Sequence, residues 1–143
     1  MKPQRRLRAY AASPLGFTED GRLFMDQVWI PELDTVAHVV NPWALTTGEE
    51  VAQAHKEGRA AEFNMEIGRR NHEAIDNSDI VIAILNGTQV DDGTAAEIGY
   101  AFGKGKTVFG YRNDLRKAGE GDGVVVNLQV QYFIVESGGS RYP

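Results

Sequence analysis

Short apolar runs alternate along the chain with stretches of helical period. Leu7 to Ser13 reads as a first strand, ended by the breaker Ser13-Pro14-Leu15-Gly16. Glu19 to about Leu33 predicts a helix whose apolar side is Leu23, Phe24, Val28 and Ile30. Val36 to Val40 predicts a second strand, stopped by Asn41-Pro42. Residues 43–57 are polar and poorly periodic, which predicts a long loop, and loops of that length are commonly functional. Arg59 to Asn77 carries the clearest helical pattern, with Ala60, Phe63, Ile67, Ala74 and Ile75 at three- and four-residue spacings. Asp79 to Leu85 is a continuous apolar run, as expected of a central parallel strand buried on both faces. A polar loop (Asn86 to Gly93), a short helix (Thr94 to Gly103) and a fourth strand (Lys106 to Tyr111) follow. A charged, Gly-rich loop then runs to Gly123, and Val124 to Val135 fits helix or strand.

This βαβα order predicts a single α/β domain over residues 1–143, an open and mostly parallel sheet with helices on both faces. Ligands of such sheets bind beyond the carboxyl ends of the strands, here the loops after residues 13, 41, 85 and 111. Composition narrows the chemistry. The absence of cysteine excludes a disulfide framework, a thiolate metal site and a thiol nucleophile. Lys and Arg number 15 against 20 Asp and Glu, a net charge of -5 that argues against a nucleic-acid partner. The basic start, Met1 to Arg8, is not followed by the apolar core of a signal peptide, and no run approaches the roughly 20 apolar residues of a membrane span. A cytoplasmic protein is expected. His38, His55 and His72 lack a metal-ligand spacing, so no metal is expected. Gly103-Lys104-Gly105-Lys106 lacks phosphate-loop spacing and reads as a helix stop.

The densest signal is Asn86 to Ala101, with Asp91, Asp92 and Glu97 at a predicted strand-to-helix junction. Thr94-Ala95-Ala96-Glu97 fits a capping box, in which Glu97 bonds back to the Thr94 amide. Glu97 equally fits a carboxylate nucleophile, kept ionised by the positive end of the helix and suited to attack at an anomeric carbon. Asp91 and Asp92 read either as a polar turn or as an acid pair that shares a proton with a leaving group. Gly93 and Ala95-Ala96 are small enough for a ligand to approach the backbone closely. Asn71 lies four residues from both Ile67 and Ile75, so a structural amide or a ligand contact falls on the apolar stripe. Tyr10, on the first strand, reads from the residues alone as a core aromatic.

The strand Asp79 to Leu85, the block Asp91-Asp92-Gly93-Thr94-Ala95-Ala96-Glu97-Ile98-Gly99-Tyr100-Ala101, Gly105-Lys106 and Asn127-Leu128 together resemble the nucleoside 2-deoxyribosyltransferases. The resemblance runs from Tyr10 to about Ile134 and implies a flavodoxin-like fold with five parallel strands. It implies exchange of the base on 2′-deoxyribonucleosides, with free nucleobases as co-substrates and no cofactor. Glu97 falls on the nucleophile, Asp91 on an acid that contacts and protonates the base, and Tyr10 on a tyrosine that orients the nucleophile. Asn71, Asp92, Gly93, Thr94 and Phe17 join the implied substrate-binding set. Asn71 stands where many members carry an aspartate, and purine-preferring members look closest in this respect. Asn127, with Gln129 beside it, implies a contact to a neighbouring subunit's site, hence a homo-oligomer with shared sites. The resemblance also implies a turn or short helix at Asn127 with a strand after it.

Two other readings compete. A hydrolase on the same scaffold would release the base to water; a 5′-phosphate substrate would need donors, for which Ser13, Arg112 and Arg116 are candidates. A receiver-like or nucleotide-sensing domain is disfavoured, because Tyr10-Ala11-Ala12-Ser13 stands where a receiver carries its acidic pair.

Overall fold

A computed structural model describes residues 5–142; the first four residues of the basic N-terminal stretch lie outside this range. Strand β1 is Arg8–Ala12 and β2 is His38–Val40. Between them, a single-turn 3₁₀ segment (Leu15–Phe17) precedes a helical run made of α1 (Glu19–Phe24), a π turn (Met25–Trp29) and α2 (Ile30–Asp34). The π turn has a covalent reason. Pro31 lacks an N–H, and its ring crowds the carbonyl four residues back, so the preceding turn widens.

Residues 43–57 are not a loop. Pro42–Ala44 forms a 3₁₀ turn and Gly48–Lys56 forms helix α3, opened by a full capping box between Thr47 and Glu50. Helix α4 (Ala60–Asp76), strand β3 (Ile80–Ile84), helix α5 (Asp92–Gly103) and strand β4 (Thr107–Tyr111) follow the predicted pattern closely. Gly103-Lys104-Gly105 does stop α5: Gly105 takes a φ of 73°, the left-handed conformation that glycine accepts without strain.

The stretch expected to hold a late strand is instead helix α6 (Leu128–Glu136). Asn127 caps it, accepting from the amides of Gln129 and Val130, and Val126, Val130 and Ile134 bury one face at four-residue spacing. The five full strands implied by the resemblance are therefore four, β1 to β4. They are extended only by the two-residue pairing β5 (Arg141–Tyr142), parallel to β4.

All pairings are parallel, in the order β2-β1-β3-β4-β5. Helices cover both faces. Ala11 and Ile84 pack with Met25 and Trp29 from the α1–α2 run. Tyr10, Ala12, Val81 and Ala83 pack with Ile75, Ile98, Val130 and Ile134 from α4, α5 and α6. The strand order reverses at β1, and the crevice between the ends of β1 and β3 is where such sheets bind ligands. Among the described residues, no helix is long and apolar enough to cross a membrane.

Candidate active site

A cavity of about 830 Å³ opens at that crevice. Ser13, Gly16 and Phe17 reach it from the end of β1, and Asn41 and Trp43 from the end of β2. Asn71 comes from α4, and Asp91, Gly93, Thr94 and Glu97 from the start of α5. The loops after residues 13, 41 and 85 thus converge as expected. The loop after residue 111 does not line the cavity.

Its arginines serve the structure instead. Arg112 is buried, and its guanidinium donates to the carbonyls of Leu85, Gly87 and Arg116. Arg116 pairs with Asp114, which also accepts from the Gly87 amide at 3.0 Å. Neither arginine faces the cavity, so both are withdrawn as phosphate donors; Ser13 does line it.

Helix α5 begins earlier than Thr94. Its cap is Asp91, whose Oδ2 accepts from the Thr94 amide at 2.8 Å and the Thr94 hydroxyl at 3.0 Å. The capping box proposed for Thr94 and Glu97 is thereby overturned, and Glu97 sits in the second turn, beyond the strongest field of the helix end. Glu97 turns inward instead. The hydroxyl of Tyr10, itself fully buried, donates to Glu97 Oε1 at 2.6 Å.

Burial pushes the Glu97 carboxyl up to about 7, the charge of Asp91 adds to the rise, and the Tyr10 bond opposes it. The expectation that the helix end keeps Glu97 ionised is corrected accordingly: desolvation outweighs it. Burial and the neighbouring Glu97 charge raise the Tyr10 phenol well above its ordinary range, so it stays protonated and donates.

The other expected residues divide. Asn71 faces the cavity, and its Oδ1 is buried with no hydrogen-bond partner in the described structure. Such an acceptor awaits a donor N–H or O–H. Ser13 is alike: only 7% exposed, it lines the cavity with an unpartnered Oγ. Asp92 is exposed, bonds the amide of Gly93 and does not line the cavity. Asn127 and Gln129 are exposed and away from their own chain's cavity; the Asn127 carboxamide caps α6 and bonds Glu120.

Several lining residues have no local sequence signal. Trp43 donates from its indole N–H to the Ser13 carbonyl at 3.0 Å and meets Phe17 edge-on, with ring centroids 4.7 Å apart. It lies so close over Gly16 that a Cβ there would stand 2.0 Å from the indole. This explains a glycine in the turn after β1. Arg22 is the cation among the lining residues.

Comparison with known proteins bears on the fold and the family. No curated protein matches the chain by sequence. The fold is similar to that of a 2-deoxyribosyltransferase from the psychrotolerant bacterium Bacillus psychrosaccharolyticus. The TM-score is 0.66 and the identity 24%, over 89% of this chain and 82% of that one. A conserved protein from Enterococcus faecalis V583 is also similar, with a TM-score of 0.63 and 21% identity over 96% of this chain and 91% of that one. At these identities the two structures speak to the fold alone. The sequence speaks to the family: the nucleoside 2-deoxyribosyltransferase model matches residues 9–129, a span from β1 through the cap of α6 that contains Tyr10, Asn71, Asp91 and Glu97. The chain therefore belongs to the nucleoside 2-deoxyribosyltransferase family.

Proposed function

We propose that this protein transfers 2-deoxyribose between the bases of 2′-deoxyribonucleosides, with Glu97 as the covalent nucleophile. The observation that carries this is the Tyr10–Glu97 contact inside a cavity that also holds Asp91 and an unpartnered Asn71. Tyr10 occupies Oε1 and leaves Oε2 free to attack. Glu97 Oε2 bonds to C1′ as the bond from C1′ to the base nitrogen breaks. The electron pair leaves with the base, and a solvent proton relayed through Asp91 lets it depart as a neutral molecule. A second base then enters. Its nitrogen attacks C1′ on the face the first base left, Glu97 departs as a carboxylate, and the acceptor's proton returns through Asp91 to solvent. Two inversions give net retention. Phe17 and Trp43 flank the base, and Gly93 and Thr94 let it approach the start of α5. No cofactor is required.

The test is incubation of deoxyinosine with free adenine. Formation of deoxyadenosine supports the reading, and no exchange of any base pair by folded protein contradicts it. Base release equally fast with and without acceptor identifies a hydrolase on the same scaffold.

Asn71→Leu separates binding from folding. No protein partner of Oδ1 is lost, so the melting temperature should hold or rise, while kcat/KM for exchange should fall about 10- to 100-fold. Thermal melts and steady-state kinetics on the same preparation check both halves.

We further infer a homo-oligomer in which Asn127 and Gln129 reach a neighbour's site. Leu128, Tyr132 and Val135 support this: they are 55%, 53% and 55% exposed and recur on one side of α6. Light scattering should show an oligomer whose specific activity falls on dilution; a fully active monomer contradicts it.

A further inference from the structure

Helix α4 turns Ile67 and Asn71 toward the cavity and, on the adjoining side, turns Arg70 toward the 45–51 segment, which forms part of the cavity wall. Thr46, Thr47 and Val51 of that segment line the cavity. The Arg70 guanidinium gathers it in. Nη1 donates to the Leu45 carbonyl at 3.0 Å and Nη2 pairs with Glu50 Oε1 at 2.9 Å. Nε donates to Glu66 Oε1 at 3.2 Å, on Arg70's own helix, and the group lies 5.5 Å from the centroid of the Phe63 ring. Glu50 passes the restraint on, since its Oε2 accepts from the Thr47 amide at 2.8 Å while the Thr47 hydroxyl accepts from the Glu50 amide at 3.1 Å. One planar group thus links a carbonyl, a carboxylate and a capping box in a single geometry, which the point charge of a lysine does not reproduce.

We propose that Arg70 is a positioning residue, the latch that holds Leu45–Val51 where Thr46, Thr47 and Val51 close over the substrate. This rests on the reading that the cavity binds a deoxynucleoside. Exposed ion pairs are individually weak, but this one is only 26% exposed on the arginine side and sits in a network. Its effect is on placement. A closing segment that drifts by about an ångström loses substrate contacts without changing the reacting groups.

Two variants test it in the full-length protein. Arg70→Met keeps the aliphatic stem over Phe63, and Glu50→Gln breaks the pair from the other end should the first variant fold poorly. The amides of residues 45–51 should exchange with solvent about tenfold faster in each, while those of β1 and β3 stay unchanged. The KM for deoxynucleoside should rise about tenfold, with kcat within about threefold of the parent. Arg70→Lys should recover only part of this. Salt should raise the parent's KM between about 0.05 and 1 M and leave that of Arg70→Met flat. Unchanged amide exchange in both variants overturns the latch, as does a loss of kcat at constant KM. If the parent exchanges no base at all while the 45–51 amides still loosen, the proposed reaction fails and the latch stands.

Discussion

Glu97→Gln is expected to lower base exchange about 10⁴-fold or more, about 5.4 kcal/mol of activation free energy, while making the protein more stable above pH 7. The first half follows from the role. Glutamine keeps the shape and accepts the Tyr10 hydroxyl but has no carboxylate to attack C1′.

The second half follows from burial. The folded-state value is about 7 against an ordinary 4.5, so between these pH values folded Glu97 holds a proton that the unfolded chain has released. Folding then takes up a proton. Stability is full below about 4.5, falls as pH rises, and levels above about 7 once the folded carboxyl is also ionised. The gap corresponds to a loss on the order of 3 kcal/mol in the parent above pH 7. Glutamine does not titrate and escapes it. Melts at pH 5 and pH 8.5 should therefore nearly coincide at the lower pH and diverge at the higher, with the variant melting later. A variant that retains near-parental turnover removes Glu97 as the nucleophile.

Tyr10→Phe is expected to shift the pH dependence of the reaction. Because the nucleophile must be ionised, kcat/KM of the parent should rise with pH through about 7 and then level. The Tyr10 hydroxyl is the bond that holds Glu97 down against burial. Without it the rising limb should move to higher pH. Exchange at pH 7 should fall about 10- to 100-fold, and much of the loss should return at pH 9. Phenylalanine fills the same buried space, so folding should change little below pH 7, where Glu97 is protonated. A profile that stays in place with an undiminished rate contradicts the assignment.

Much of this site is legible in the residues because it lies within one uninterrupted stretch. The apolar run Asp79 to Leu85 has the length and β-branched content of a buried strand, and the loop from Asn86 onward then emerges at the sheet edge where ligands bind. The start of α5 is harder to place. Asp91, Asp92 and Thr94 are all competent caps, and the choice among them falls to Asp91, whose Oδ2 takes both the amide and the hydroxyl of Thr94.

Helix α3 carries its signal in Thr47-x-x-Glu50 rather than in apolar period, because its exposed face is polar nearly throughout. Helix α6 hides in a run of β-branched residues whose four-residue spacing becomes decisive only with Asn127 as its cap. Trp43 has no local signal at all. Its partners, Gly16 and Ser13, are far away in sequence and meet it only once β1 and β2 pair. The ionisation of Glu97 is likewise beyond the sequence, since a helix end and a buried tyrosine pull it in ways that depend on how deeply the carboxyl sits.

The most direct test of covalent catalysis by Glu97 is a mass spectrum of the protein incubated with a 2′-fluoro-2′-deoxynucleoside. The fluorine slows departure of the sugar from the ester and lets the intermediate accumulate. The expected result is an intact mass increased by one fluorodeoxyribosyl group, located by peptide mapping on Glu97 and absent from Glu97→Gln. An adduct on another residue, or active protein that turns the substrate over with no adduct at any time, contradicts it.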